Sequence, residues 1–409
     1  MFRQHQEQDR HVANATHAGA GDIPHHGRRH WLALACALAL TIGGSGSALA
    51  QTTAPKTVLI GLAAPLSGAS ARIGKDLEYG AQLALDDANA KKPVIDGQPV
   101  QFKLLSEDDQ SDPRAAVGAA QRLVDAGVVG VVGHWNTGTS IPAARVYNTA
   151  GIAQLAPAST GRQYTAQGFK TSFRLMGHDD IGGEYTGRYV VEKLKAKRIA
   201  VIDDRTAFGQ GLADQFVKGV KKYGGNVVTR EYVNDKTQDF SAVLTSIRGK
   251  NADVIFFGGV DAQAAPLARR IRQLGLKARL VGAGGFVSQT FLGLAGKDGE
   301  GVIALEPGLP VTDMPGGKSF DQRYQEKYKQ PIELHAPFAY DAAAVLIAAI
   351  QKADSLAPAR YLPVLQQIKY QGVTGQISFD GEGNLNNPAY TLFEVRQGKW
   401  APAEILGGK

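Results

Sequence analysis

From Thr57 onward, continuous apolar runs alternate with segments whose apolar positions recur every three or four residues. TVLIGLAAP (57–65) has the length and composition of a buried strand. Across 74–90, Leu77, Ala81, Ala84, Leu85 and Ala88 fall on one helical face. VQFKLLSEDD predicts the next strand. DPRAAVGAAQRLVDAG predicts a helix with Asp112 as its cap, Pro113 in its first turn and Gly127 past its end. VVGVVG, IPAARVYNTAG and IAQLAPA continue the series as strand, helix and strand. After SFRLM (172–176) the same grammar restarts: GEYTGRYVVEKLKA, RIAVIDD, FGQGLADQFVKGVKKYGG and NVVTREYV, then FSAVLTSIRGK, ADVIFFGG, AAPLARRIRQLG and ARLVGAGG.

Strands that are apolar at every position are covered on both faces, which indicates parallel sheets with right-handed crossovers. The pattern therefore predicts an α/β fold of two doubly wound, parallel-sheet lobes. The tail departs from the alternation. HAPFAYDAAAVLIAAIQKA and PARYLPVLQQIKY read as helices, and QISFD and YTLFEVRQ as strands around a DGEGN turn.

The N-terminus carries a different signal. Arg28-Arg29-His30 precede the apolar run WLALACALALTI (31–42), and Ala48-Leu49-Ala50 follow. A run of about 12 residues is too short to span a bilayer. With its basic flank and A-x-A site it predicts a signal peptide over 1–50, cleaved after Ala50, and hence an exported protein. Cys36, the one cysteine, lies inside that run, so no disulfide framework is expected. Six of the nine histidines precede Trp31; His134, His178 and His335 are far apart, which argues against a histidine metal site. The net charge of +7 is scattered among acids without a basic run, so nucleic acid is not an expected partner.

Ligands of open parallel sheets bind beyond the C-terminal strand ends. GHWNTGTS (133–140) ends one strand there and leads into a helix. Its free N–H groups and the hydroxyls of Thr137 or Thr139 suit an anion, although plain helix capping uses the same residues. APASTG (156–161) ends the following strand with Ser159 and Thr160. Two such loops side by side predict a cradle for a carboxylate. APLSGASARIG (64–74) ends the first strand and brings Arg72, which either pairs with an acidic ligand or lies on a solvated rim. PGGKS (315–319) lacks the earlier glycine of a phosphate loop, and no nucleophile turn G-x-S-x-G occurs. Asp203-Asp204 reads as capping at a strand end. The chain shows no catalytic set, no metal cluster and no cofactor motif.

Taken in order, PLSG, YGAQLALDDANA, EDDQSDPRAAV, LVDAGVVGVVGH, APAST, FRLMGHDDIGG, AFGQGLADQFVKGVKKYGGNVV and DFSAVLTSIRGKNADVIFFGG resemble the periplasmic leucine/isoleucine/valine-binding proteins that feed ABC importers. The similarity runs from about Val58 to the C-terminus. It implies the type I periplasmic binding fold, with three crossings near Met176, Glu306 and Asn387. The lobes would then be 57–176 plus 306–385 and 177–305 plus 386–409, closing on a small carboxylate ligand. It also implies a monomer that works in the periplasm with a membrane permease.

By the same resemblance, the ligand carboxylate falls to Thr137 and the stretch Ala158, Ser159, Thr160, with Asn136 in the first loop. The family's pocket aromatics match Ile73, Phe208, Val260 and Tyr340, and its acidic partner for the ligand ammonium matches Gly284. Trp135 and Phe286 complete the apolar walls. A buried ammonium without an anion is costly. Either Asp261, Glu306 or Asp341 takes that role, or the ligand lacks an α-amino group. The expected ligand is a branched-chain or other aliphatic amino acid; an aromatic or keto acid is the alternative. A ligand sensor of the same fold would need a separate membrane partner.

Overall fold

The computed structural model describes residues 54–408; the signal-peptide expectation falls outside the described residues. The first sheet contains β1 (Lys56–Ala64), β2 (Val94–Ile95), β3 (Gln98–Asp108), β4 (Val131–Gly133), β5 (Gln154–Ala156) and β6 (Ser172–Arg174), in the order β2-β3-β1-β4-β5-β6. All its pairs are parallel except β2 with β3. Helices α1 (Ala71–Ala90), α2 (Pro113–Asp125) and α3 (Thr137–Ala150) connect them. Asp112 caps α2 as its sequence predicts, accepting the N–H groups of Arg114 and Ala115.

β1 shows why the apolar run forms a buried central strand. Val58, Ile60, Leu62 and Ala64 enter one core cluster, while Leu59 and Ala63 pack into the cluster on the opposite face. The second sheet repeats the device. It contains β7 (Ile199–Asp203), β8 (Val227–Tyr232), β9 (Val254–Gly258), β10 (Arg279–Ala283) and β11 (Ile303–Pro307). Ile255 and Phe257 of β9 face one cluster, Val254 and Phe256 the other. Its helices are α4 (Asp179–Glu192), α5 (Ala207–Lys222), α6 (Ser241–Arg248), α7 (Asp261–Gln273) and α8 (Gln289–Ala295).

The chain then returns. α9 (Gly317–Tyr328), α10 (Ala336–Ala353) and α11 (Pro358–Gln366) follow, and α10 packs along α1 in the core of the first sheet. The tail differs from its expected hairpin. β12 (Tyr370–Gln371) pairs with β13 (Gln376–Ile377), and the segment around DGEGN closes on itself through a bridge from Phe379 to Leu385. β14 (Ala389–Arg396) instead joins the second sheet, antiparallel to both β11 and β15 (Lys399–Gly407). That sheet is therefore mixed, with the order β15-β14-β11-β10-β9-β7-β8.

Candidate ligand-binding site

β4 and β5 pair in parallel, Val131 with Gln154 and Val132 with Leu155, so the loops GHWNTGTS and APASTG leave the sheet side by side. Gly133 begins the first loop at φ +138°, and a Cβ there would sit 2.3 Å from the Ala63 carbonyl oxygen, so no side chain fits. α3 starts earlier than the sequence pattern implies, at Thr137 rather than Ile141, because Asn136 is extended and takes the N-cap position. Asn136 does not use its side chain to cap the helix: Oδ1 is buried and has no partner. The first-turn N–H groups and the positive end of the helix dipole are thereby directed at the strand ends.

Thr137 Oγ1 accepts the Gly161 N–H (3.0 Å), which leaves its own O–H to donate elsewhere. The Thr160 hydroxyl is buried and makes no hydrogen bond. Asn136, Thr137, Ala158 and Thr160 form one wall of a small cavity.

The opposite wall comes from the C-terminal ends of four neighbouring strands of the second sheet. Phe208 follows β7, Val260 follows β9, Gly284 and Gly285 follow β10, and Glu306 belongs to β11. Trp135 and His335 complete the lining. Trp135, Phe208 and Val260 are its apolar surfaces. Gly284 has φ +59°, and a Cβ there would lie 3.2 Å from Phe208. An acidic side chain at that position is thus both strained and obstructed.

The acid arrives from the adjacent strand. Glu306 Oε2 accepts the Gly285 N–H (2.9 Å) and Oε1 accepts from His335 Nε2 (2.9 Å). The Trp135 indole N–H donates to His335 Nδ1 (3.1 Å). Nδ1 is therefore the acceptor, Nε2 carries the proton, and the imidazole is neutral in this chain of bonds. Both Glu306 oxygens are held, and each retains a lone pair for a ligand.

Several anticipated site residues lie elsewhere. Ser159 is buried beneath its loop, where its carbonyl accepts from Arg174. Asp261 opens α7 outside the lining. It accepts from the Ser288 hydroxyl (2.6 Å) and the Ala262 N–H (2.8 Å), and desolvation pushes its carboxyl up to about 6. Asp341 accepts the Val373 and Thr374 N–H groups and the Thr374 hydroxyl, so it pins the turn between β12 and β13. Tyr340 points away from the cavity and donates to Asp87 on α1 (2.7 Å). Ile73 and Phe286 are core residues of the first and second sheets. Arg72 is a rim residue, 68% exposed and 3.4 Å from Glu333. Asp203 and Asp204 serve the local turn, accepting from Arg205 and Thr206, and Asp203 also pairs with Arg230.

Three contributors carry little sequence signal. His335 and Gly285 line the cavity. Asp179 opens α4 behind Thr160 and donates its N–H to the Thr160 carbonyl (3.0 Å). Its carboxyl is buried close to the Thr160 hydroxyl, which favours the charged form, and Oδ2 has no other partner. Desolvation pushes it up to about 7 against the Arg174 guanidinium. A raised carboxyl favours the folded state below the ordinary carboxylate range, and that stability is lost as pH rises through 7. Asp179→Asn, neutral throughout, should therefore reduce the loss of unfolding free energy between pH 5 and 8 by about 2 kcal/mol. Urea titrations of both proteins at the two pH values measure this; equal pH slopes would show that Asp179 is ionised throughout.

Two sheet-built walls facing one small cavity, with orphaned polar atoms on one side and a held carboxylate on the other, define a solute-binding protein of the type I periplasmic binding fold. The chain belongs to the periplasmic binding protein family, which it matches over residues 57–399. An amino acid binding protein of Pseudomonas aeruginosa is 36% identical, over 88% of this chain and 94% of that protein. Leu/Ile/Val-binding protein homolog 1 of Brucella abortus is 32% identical, over 88% and 95%. Among solved structures, the branched-chain amino acid transporter substrate-binding protein of Streptococcus pneumoniae, in complex with isoleucine, superposes with a TM-score of 0.78 at 27% identity. The match covers 86% of this chain and all of that one.

Proposed function

We propose that the protein captures a small α-amino acid, branched-chain or otherwise aliphatic, between its two lobes and delivers it to the permease of an ABC importer. One observation carries this reading: the Glu306 carboxylate and the unpartnered Asn136 and Thr160 side chains share one cavity. Buried polar atoms are normally paired with protein groups, water or a ligand, and these two face the cavity that also holds Glu306. Thr137 and the first-turn N–H groups of α3 take the ligand carboxylate. Glu306 and the Thr160 hydroxyl take the ammonium, in place of the acid missing at Gly284. Trp135, Phe208 and Val260 enclose the aliphatic side chain. The expected second crossing shifts from Glu306 to just after Pro307, because β11 (Ile303–Pro307) belongs to the second sheet. The lobes are 57–176 with 308–385 and 177–307 with 386–408, and they close on the ligand as a hinge. The reading includes export by a cleaved signal peptide and action in the periplasm, supported by the N-terminal sequence pattern and the family match.

Calorimetric titration with isoleucine, leucine and the keto acid of leucine tests the assignment. Isoleucine and leucine should bind, and the keto acid at least about a hundredfold more weakly, since it leaves Glu306 facing a carbonyl oxygen. A second reading, an acid without an amino group, rests on His335 and Gly285 already satisfying Glu306 without any ligand. Preferential binding of the keto acid would establish it.

A further inference from the structure

The segment that enters α10 is fastened to α1 by a single carboxylate. Asp76, fully buried, accepts the N–H groups of Glu333 (2.9 Å), Leu334 (3.1 Å), His335 (2.7 Å) and Ala336 (2.8 Å), and the Tyr324 hydroxyl (2.8 Å). Successive N–H groups converging on one anion leave the segment no local freedom. Two side chains then leave it toward elements of the second sheet. Glu333 Oε1 accepts the Thr290 N–H at the start of α8 (2.7 Å), and His335 Nε2 donates to Glu306 on β11 (2.9 Å). Both are almost fully buried, at 6% and 3% exposure. Neither Asp76, Glu333 nor Thr290 lines the ligand cavity, whereas His335 does.

We infer that Glu333–His335 is a strap that latches the closed protein, with Asp76 as its positioning residue and Glu333 as the bond made away from the ligand. The inference rests on the reading that the lobes open and close around a solute. Opening must break the Glu333–Thr290 bond and the His335–Glu306 bond together, because one rigid segment carries both side chains. The first of these contributes nothing to ligand recognition. The strap therefore sets how long a ligand stays rather than how fast it arrives, a division expected where differences in affinity reside in dissociation.

Glu333→Ala separates the two. Stopped-flow fluorescence, with Trp135 in the cavity wall as reporter, gives association and dissociation rates for isoleucine. Dissociation should accelerate about tenfold while association stays within about twofold. Amide exchange of the ligand-free protein supplies a second measurement. The segment containing Thr290 should exchange faster in the variant, and the Leu334–Ala336 amides held by Asp76 should keep their protection. Unchanged dissociation, or equal shifts in both rates, overturns the strap. So does unchanged exchange at Thr290, or protection lost throughout 334–336. A wild type that gives no isoleucine signal removes the amino acid reading alone, and the exchange comparison still decides the strap.

Discussion

Glu306→Gln is expected to weaken isoleucine binding by at least about a hundredfold, 2.7 kcal/mol or more, while the keto acid of leucine is held no worse than by the wild type. The reason lies in how the carboxylate is gripped. One oxygen receives the Gly285 N–H and the other the His335 imidazole, so the charge is fixed before any ligand enters. Glutamine removes the charge and presents an NH2 group to one of those two donors. His335 cannot relieve the clash by changing tautomer, because the Trp135 indole N–H already requires Nδ1 as acceptor. The ligand ammonium then loses its anion in a closed cavity, a change of roughly 3–5 kcal/mol for a buried pair. Titration calorimetry of both ligands on the variant is the measurement. A Gln variant that binds isoleucine normally would place the ammonium elsewhere.

Arg174→Met should cost about 3–5 kcal/mol of folding stability and weaken ligand binding with it. The guanidinium is completely buried at the end of β6. It donates to the carbonyls of Ser159 (2.5 Å) and Gly161 (3.0 Å), to the Thr165 hydroxyl (3.1 Å) and to Asn384 Oδ1 (3.2 Å). Two of these partners belong to the loop that carries Thr160. Methionine fills the volume but leaves those acceptors unpaired in a dry interior. Arg174→Lys should rescue little, since one ammonium cannot span the same spread of acceptors as a planar fork. Urea unfolding gives the stability, and isoleucine titration at a urea-free, fully folded concentration gives the coupling. If the Met variant kept both, the loop would owe its shape to its own backbone.

The strand and helix alternation was legible because the central strands are apolar toward both faces, as in β1 and β9. β15 was not. It is a half-exposed edge strand whose pairing shifts register opposite Pro402, so neither alternation nor apolarity marks it. The two hydroxyl loops were readable from small polar residues directly after apolar runs. Tyr340 and Asp341 were not placeable from pattern, because α10 is apolar nearly all round and its period fixes no face. Tyr340 consequently turns to Asp87 and Asp341 to the Val373–Thr374 turn. Glu306 stood among three candidate acids, and only the sheet order puts it beside Gly284. His335 is a lone histidine whose partners are distant in sequence, Trp135 on one side and Glu306 on the other.

The antiparallel pair β14 and β15 closes the second sheet against β11, the strand that bears Glu306. Everything from α9 to β13 must be made before that pairing partner exists. Until then β11 presents an open edge, and the half of the molecule built from β7–β11 lacks its final layer of main-chain bonds. A chain that emerges from its N-terminus stays incomplete in that half to the last moment.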